Sequence, residues 1–133
     1  SRTVADELLT PTRIYVRSVR DVLNYYRVKQ TVHGMAHITG GGLPGNLTRI
    51  LPEGCAAEIH TDRWERPKIF EIIQALGNVP DEEMYRTFNM GIGLVLIAAP
   101  YYEHSIMDTL RKRGEKPVLL GRVKKGQREV RIL

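Results

Sequence analysis

Apolar and polar positions along the chain switch repeatedly between helical and strand spacing. Ile14, Val19, Val22, Leu23 and Tyr26 share one face at three- and four-residue intervals. They predict a helix that Thr10 caps, Pro11 opens and that runs to about Tyr26. Val32 to Ile38 reads as a short strand interrupted by Gly34, and Leu43 to Leu51 as a small helix that Pro52 ends. Ala56 to His60 reads as another strand. Pro67 starts a second long helix, whose Ile69, Phe70, Ile72, Ile73 and Leu76 make a broad apolar stripe closed by Gly77-Asn78. Asp81 caps a short helix, Glu82 to Thr87. Gly91 to Ala99 is almost continuously apolar, as a strand buried on both faces is. Tyr101 to Arg113 is a third long helix, stopped by Gly114. Two last strands, Val118 to Val123 and Glu129 to Leu133, flank the polar turn Lys124-Lys125-Gly126-Gln127. Helices set between strands, with no repeat or linker, predict one layered α/β domain with a mixed sheet.

Composition narrows the class. With 133 residues and 42% hydrophobic content, the chain suits one globular domain with a real core. The longest apolar run, Ile92 to Ala99, is strand-sized and far short of the roughly 20 residues of a membrane span. Ser-Arg-Thr-Val-Ala-Asp at the start carries no apolar secretory core, and the missing initiator Met predicts a fragment or a processed chain. One cysteine, Cys55, rules out an internal disulfide and is compatible with a reducing cytoplasm. It precedes an apolar strand with no histidine nearby in sequence, which reads as an inert core thiol. The net charge of +5 gathers in Arg111-Lys112-Arg113 and between Arg122 and Arg131. No RNA-binding signature accompanies it, so a solvated face and cations at a helix end explain it better than nucleic acid. His33, His37, His60 and His104 lack the helical pairing of a zinc site, and no metal is expected.

Candidate chemistry sits in two segments. His37-Ile38-Thr39-Gly40-Gly41-Gly42-Leu43-Pro44-Gly45-Asn46 follows a strand and opens a helix. Consecutive glycines free the backbone to turn its N–H groups toward an anion, and such a loop serves either a phosphorylated ligand or a tight reversal. Thr39 adds a hydroxyl, and Asn46 and Arg49 follow within two turns. His37, at the loop mouth, is either an acid/base or donor group or a histidine satisfied at a strand end. In the second segment, Glu83 to Gly93, Arg86 offers a two-pronged donor for phosphate or carboxylate, or pairs with a local carboxylate. Asn89 can both donate and accept. Gly91 and Gly93, two residues apart, share one strand face and permit a close approach. Met90 and Phe88 read as core.

Three blocks then point to a family: Leu9-Thr10-Pro11-Thr12-Arg13-Ile14-Tyr15-Val16, Ala36-His37-Ile38-Thr39-Gly40-Gly41-Gly42, and Glu83-Met84-Tyr85-Arg86-Thr87-Phe88-Asn89-Met90-Gly91-Ile92-Gly93. With Asn46 and Arg49-Ile50-Leu51-Pro52, they make the whole chain resemble the C-terminal domain of the phosphoribosylformylglycinamidine cyclo-ligase (aminoimidazole ribonucleotide synthetase) family. The resemblance implies a mixed sheet with helices and partial ferredoxin-like topology. It implies an ATP-dependent ligase of purine biosynthesis in the cytoplasm, closing formylglycinamidine ribonucleotide to aminoimidazole ribonucleotide. It also implies ATP and Mg2+ held mainly by an N-terminal domain, which this chain lacks and which would supply the main contacts of a homodimer. The chain, residues 1–133 as a single domain, is therefore expected to be inactive alone.

By position in the motifs, Thr39, Gly40, Gly41, Gly42, Asn46, Arg86 and Asn89 become candidates for substrate or phosphate contact, with His37 as nominee for the catalytic base. Thr12, Arg13, Arg49, Gly91 and Gly93 are secondary candidates. Arg13 in a first helical turn would oppose the helix dipole, so another group is expected to hold it. Two rival readings stay open: the equivalent domain of a related ATP-dependent superfamily member, or a non-catalytic ligand-binding or interaction module on the same fold. No nucleic-acid or membrane partner is expected.

Overall fold

The computed structural model describes residues 3–133. Its helices are α1 (Val4–Leu8), α2 (Val16–Tyr25), α3 (Gly42–Thr48), α4 (Lys68–Gly77), α5 (Asp81–Thr87) and α6 (Glu103–Lys112). Its strands are β1 (Val32–His37), β2 (Cys55–Ile59), β3 (Leu94–Ala98), β4 (Gly121–Lys125) and β5 (Val130–Ile132), with 3-10 turns at Thr61–Arg63 and Pro100–Tyr102.

Mixed α/β architecture holds, but the single sheet divides into two. β1 pairs antiparallel with β3, Ala36 opposite Val95 and His37 opposite Leu94, with an irregularity between Val32 and Gly34. β2 is the centre of the second sheet, antiparallel to β4 and parallel to β5. The two last strands thus lie on opposite edges of β2 and do not pair with each other. Gly121 explains part of this: a Cβ there would lie 1.7 Å from the carbonyl oxygen of Glu58, so only glycine lets β4 start against β2. The chain then turns at Gly126, whose amide donates to Gly54 O at 3.0 Å, and comes back on the far edge, where Ala57 N donates to Glu129 O at 2.9 Å.

One core cluster joins Ala36, Ile38, Leu43, Leu47, Ile59, Val95 and Leu120, seating α3 between the two sheets. A second joins Met84, Tyr85 and Met90, with Phe70, Ile73 and Phe88 packed on it. Trp64 touches both clusters, and its indole N–H donates to Met90 O at 2.9 Å. On the other side α2 runs along α6, tied by the hydroxyls of Tyr26 and Ser105 and by an ion pair between Arg113 and Asp21.

Several predicted boundaries move. The first long helix does not start at Thr10-Pro11. A separate short helix, α1, is opened by a reciprocal cap, Asp6 N to Thr3 Oγ1 at 3.2 Å and Thr3 N to Asp6 Oδ2 at 2.9 Å. Thr10 works at its far end, donating its hydroxyl to Asp6 O at 3.0 Å. Residues 10–15 are non-helical, α2 starts at Val16, and Ile14 is 81% exposed instead of lying on the buried face. The small helix ends at Thr48, before Leu51, and the third long helix is preceded by a 3-10 turn. The apolar run at 91–99 becomes strand only from Leu94, because Met90 and Gly91 take positive φ (52° and 99°) and turn the chain. Gly91 and Gly93 therefore do not share a strand face. Cys55 is half-buried at the first position of β2.

Candidate functional site

Three separate stretches of chain meet at the end of β1. Ile38 N donates to Gly93 O at 2.8 Å, which holds the end of β1 beside the glycine segment that leads into β3. Beyond it the chain folds into a tight loop: Gly41 has φ 99° and Gly42 φ 57°. Gly42 N donates to Thr39 O at 3.0 Å and Gly45 N to Gly41 O at 2.9 Å. A Cβ on Gly42 would stand 1.8 Å from Tyr85 O and 3.0 Å from Phe88 O, so the missing side chain lets α3 abut the C-terminal end of α5. This contact brings the glycine loop and the Arg86–Asn89 segment together.

Asn46 holds the loop from within. It is 6% exposed, and its amide nitrogen donates to Gly42 O at 2.8 Å and Thr39 O at 3.2 Å, with Gly40 O at 3.4 Å. Its amide oxygen accepts from Thr39 Oγ1 at 3.4 Å. The side chain is consumed by the loop it stabilises. Thr39 and Gly40 are exposed, and the amides of Gly40 and Gly41 have no backbone partner among the described residues, so the outer rim of the loop presents donors to solvent. α3 has only seven residues, so its dipole contributes little and the loop amides are the relevant groups.

Arg86 projects from α5 with its side chain 75% exposed. Among the described residues its ion-pair partner is Glu83, 3.9 Å away on the preceding turn. Such an exposed pair holds a guanidinium weakly. Asn89 closes the turn after α5, its side-chain oxygen accepting from Gly91 N at 2.9 Å. His37 is exposed at the last position of β1.

Tyr15 is the group that the residue patterns missed. Its ring meets that of His37 edge-on, 6.2 Å between centroids, and a Cβ on Gly93 would fall 2.0 Å from the phenolic oxygen. Burial pushes the Tyr15 phenol above its ordinary pKa, with Arg13 opposing and Glu115 adding to the shift. Its position inside the first motif block, two residues after Arg13, was the signal available. Arg13 is not in a helix at all. It pairs with Glu115 at 2.8 Å, and Ser18 Oγ donates to the same carboxylate at 2.6 Å. That triad ties the segment before α2 to the loop after α6. Thr12 and Arg49 are exposed, Arg49 as the C-terminal cap residue of α3.

Behind Tyr15 lies an apolar cleft of about 690 Å3, with Gly91, Gly93, Leu96, Ile106 and Leu120 among its lining residues. Among the described residues no three His, Cys, Asp or Glu side chains converge. The groups gathered at the loop suit an anion. No helix among the described residues is long and apolar enough to cross a membrane.

The fold and site define a mixed α/β domain that presents a glycine-rich donor loop beside an exposed arginine. The chain belongs to the family described as AIR synthase related protein, C-terminal domain, which matches residues 1–133. A phosphoribosylformylglycinamidine cyclo-ligase of Trichlorobacter lovleyi is 52% identical over 93% of this chain and 34% of its own length. One from Pseudothermotoga lettingae is 49% identical over 98% of this chain and 37% of its own. The chain thus spans about a third of the length of these curated relatives and matches their C-terminal part. Among solved structures, the HypE–HypF complex aligns with TM-score 0.65 at 13% identity, covering 96% of this chain and 42% of that one. Escherichia coli HypE, a hydrogenase maturation protein, aligns with TM-score 0.61 at 19% identity, covering 90% and 35%. At those identities the likeness shows the shared fold.

Proposed function

We propose that this chain forms the substrate-facing wall of a phosphoribosylformylglycinamidine cyclo-ligase active site. The reading rests on one observation above the others. In a chain about half identical to enzymes of that name, the glycine loop is clamped internally by Asn46 while its rim amides, Thr39, His37 and Arg86 stay open to a ligand. The cyclo-ligase substrate, formylglycinamidine ribonucleotide, carries a ribose phosphate. Backbone amides and a weakly held guanidinium bind that group without rearrangement, because the loop is already fixed.

ATP and Mg2+ in such an enzyme activate the formyl amide oxygen for ring closure. Both would be held mainly by the region that precedes this chain in the relatives. The chain's own contribution is to bind and orient. Loop amides and Arg86 hold the phosphate, and His37, braced by Tyr15, faces the reacting end as acid/base or hydrogen-bond donor. The isolated chain is expected to have no turnover, and the complete enzyme to work as a cytoplasmic homodimer.

The test is Arg86→Ala in the enzyme of the relatives' full length. A lost charge-assisted contact is worth roughly 1.5–3 kcal/mol, so kcat/KM for formylglycinamidine ribonucleotide should fall about 10- to 100-fold, mostly through KM. Unchanged KM would remove Arg86 from the site. Calorimetric binding of a ligand by this chain, with no ligase activity in the full-length enzyme, would favour the non-catalytic module.

A further inference from the structure

Helix α4 exposes Lys68 and Glu71, yet it exposes large apolar side chains as well. Its inner residues Phe70 and Ile73 pack on the cluster of Met84, Tyr85 and Met90. Its outer face carries Ile72 (41% exposed), Ala75 and Leu76 (86% exposed). A helix at the surface of a finished domain turns mainly polar residues outward, so large apolar side chains exposed side by side mark a face suited to a partner. α6, of the same length, follows that rule: its exposed residues are His104, Arg111 and Lys112. The exposed apolar surface continues onto α1, which lies against α4 and leaves Val4, Leu8 and Leu9 52%, 62% and 80% exposed.

We propose that the outer face of α4 together with α1 is the seat of the polypeptide that precedes this chain in its longer relatives. Two observations name that occupant over others. The relatives extend this sequence on its N-terminal side to nearly three times its length. α1 is the first described element, so the incoming chain arrives on this very patch and is held there at high effective concentration. Large apolar side chains at the centre with charged Lys68 and Glu71 among them match the make-up of a protein–protein interface. α5, which carries Arg86, packs directly on α4, so a body seated there stands beside the candidate site. The inference rests on the proposed function only in taking this chain to work as part of the longer protein.

The test is thiol labelling with a maleimide, using Leu76→Cys on a Cys55→Ser background in this chain and in the full-length protein. Tyr101→Cys, at a position 90% exposed in the 3-10 turn before α6, serves as the control in both. The Leu76→Cys thiol should label freely in the short chain and at least tenfold more slowly at full length, at every protein concentration, while the control labels at one rate throughout. Equal rates for Leu76→Cys in the two proteins would overturn the proposal. Slow labelling that is lost on dilution would assign the face to a second copy and overturn it equally. Ile72→Cys gives the same readout should the first variant fold poorly. No substrate is used, so protection without ligase turnover would sink the functional reading and leave this one standing.

Discussion

Gly42 and Gly93 both sit where a side chain would collide with something, yet the obstacles differ in kind. At Gly42 the obstacle is backbone: Tyr85 O at 1.8 Å and Phe88 O at 3.0 Å from a Cβ, with φ already at 57°. At Gly93 it is the tip of a side chain, the Tyr15 hydroxyl at 2.0 Å. One glycine holds two helices at their closest approach. The other makes room for a ring that braces His37. A backbone neighbour can move only with its helix, whereas a phenol can swing about its own torsions. The first glycine is therefore a condition of the fold, and the second tunes the site.

That contrast can be broken by substitution. Gly42→Ala should be the most damaging, losing more than about 3 kcal/mol through overpacking and a disfavoured φ. For a domain of this size the melting temperature should drop by roughly 10 °C or more, or the chain should fail to fold. A calorimetric scan within a few degrees of the parent would mean that α3 and α5 can part without cost. Gly93→Ala should cost less, about 1–2 kcal/mol, and Tyr15→Phe on that background should restore part of the loss. If the double variant is no more stable than Gly93→Ala alone, the hydroxyl is not what the glycine accommodates.

The smallest effect is a pH dependence. Because burial raises the Tyr15 phenol, its contribution to stability is complete below the unfolded tyrosine value of about 10 and is lost as pH rises toward the folded value. Denaturant midpoints should decline above about pH 10, and Tyr15→Phe should make that decline shallower. An unchanged slope in the variant would place the phenol in water instead.

Legibility in the sequence followed the range of the interactions. The C-terminal end of α4 was readable because Asn78 itself adopts φ 48°, a local habit of Asn after a helix. The glycine loop was readable because consecutive glycines report a backbone requirement wherever they stand. Thr10-Pro11 misled because a good N-cap pair is equally good at closing a preceding helix. The Arg13–Glu115 pair, which anchors the non-helical residues 10–15, joins positions 102 residues apart. Asn46 was legible as part of the loop, but that its amide nitrogen donates to the carbonyls of that loop was not.

Periodicity, turn chemistry and the three motif blocks by themselves determined the element types, the mixed α/β class, the family and the segments that make up the candidate site. Those properties depend on residues close in sequence, or on motifs that can be matched one by one. Only tertiary structure decided that the strands divide into two sheets, that Tyr15 lies on His37 and that Arg86 stays open while Asn46 is spent. It also decided that α4 keeps an apolar face uncovered. Each of these turns on which distant surfaces meet and which are left over, and burial of that kind has no local signature in the chain.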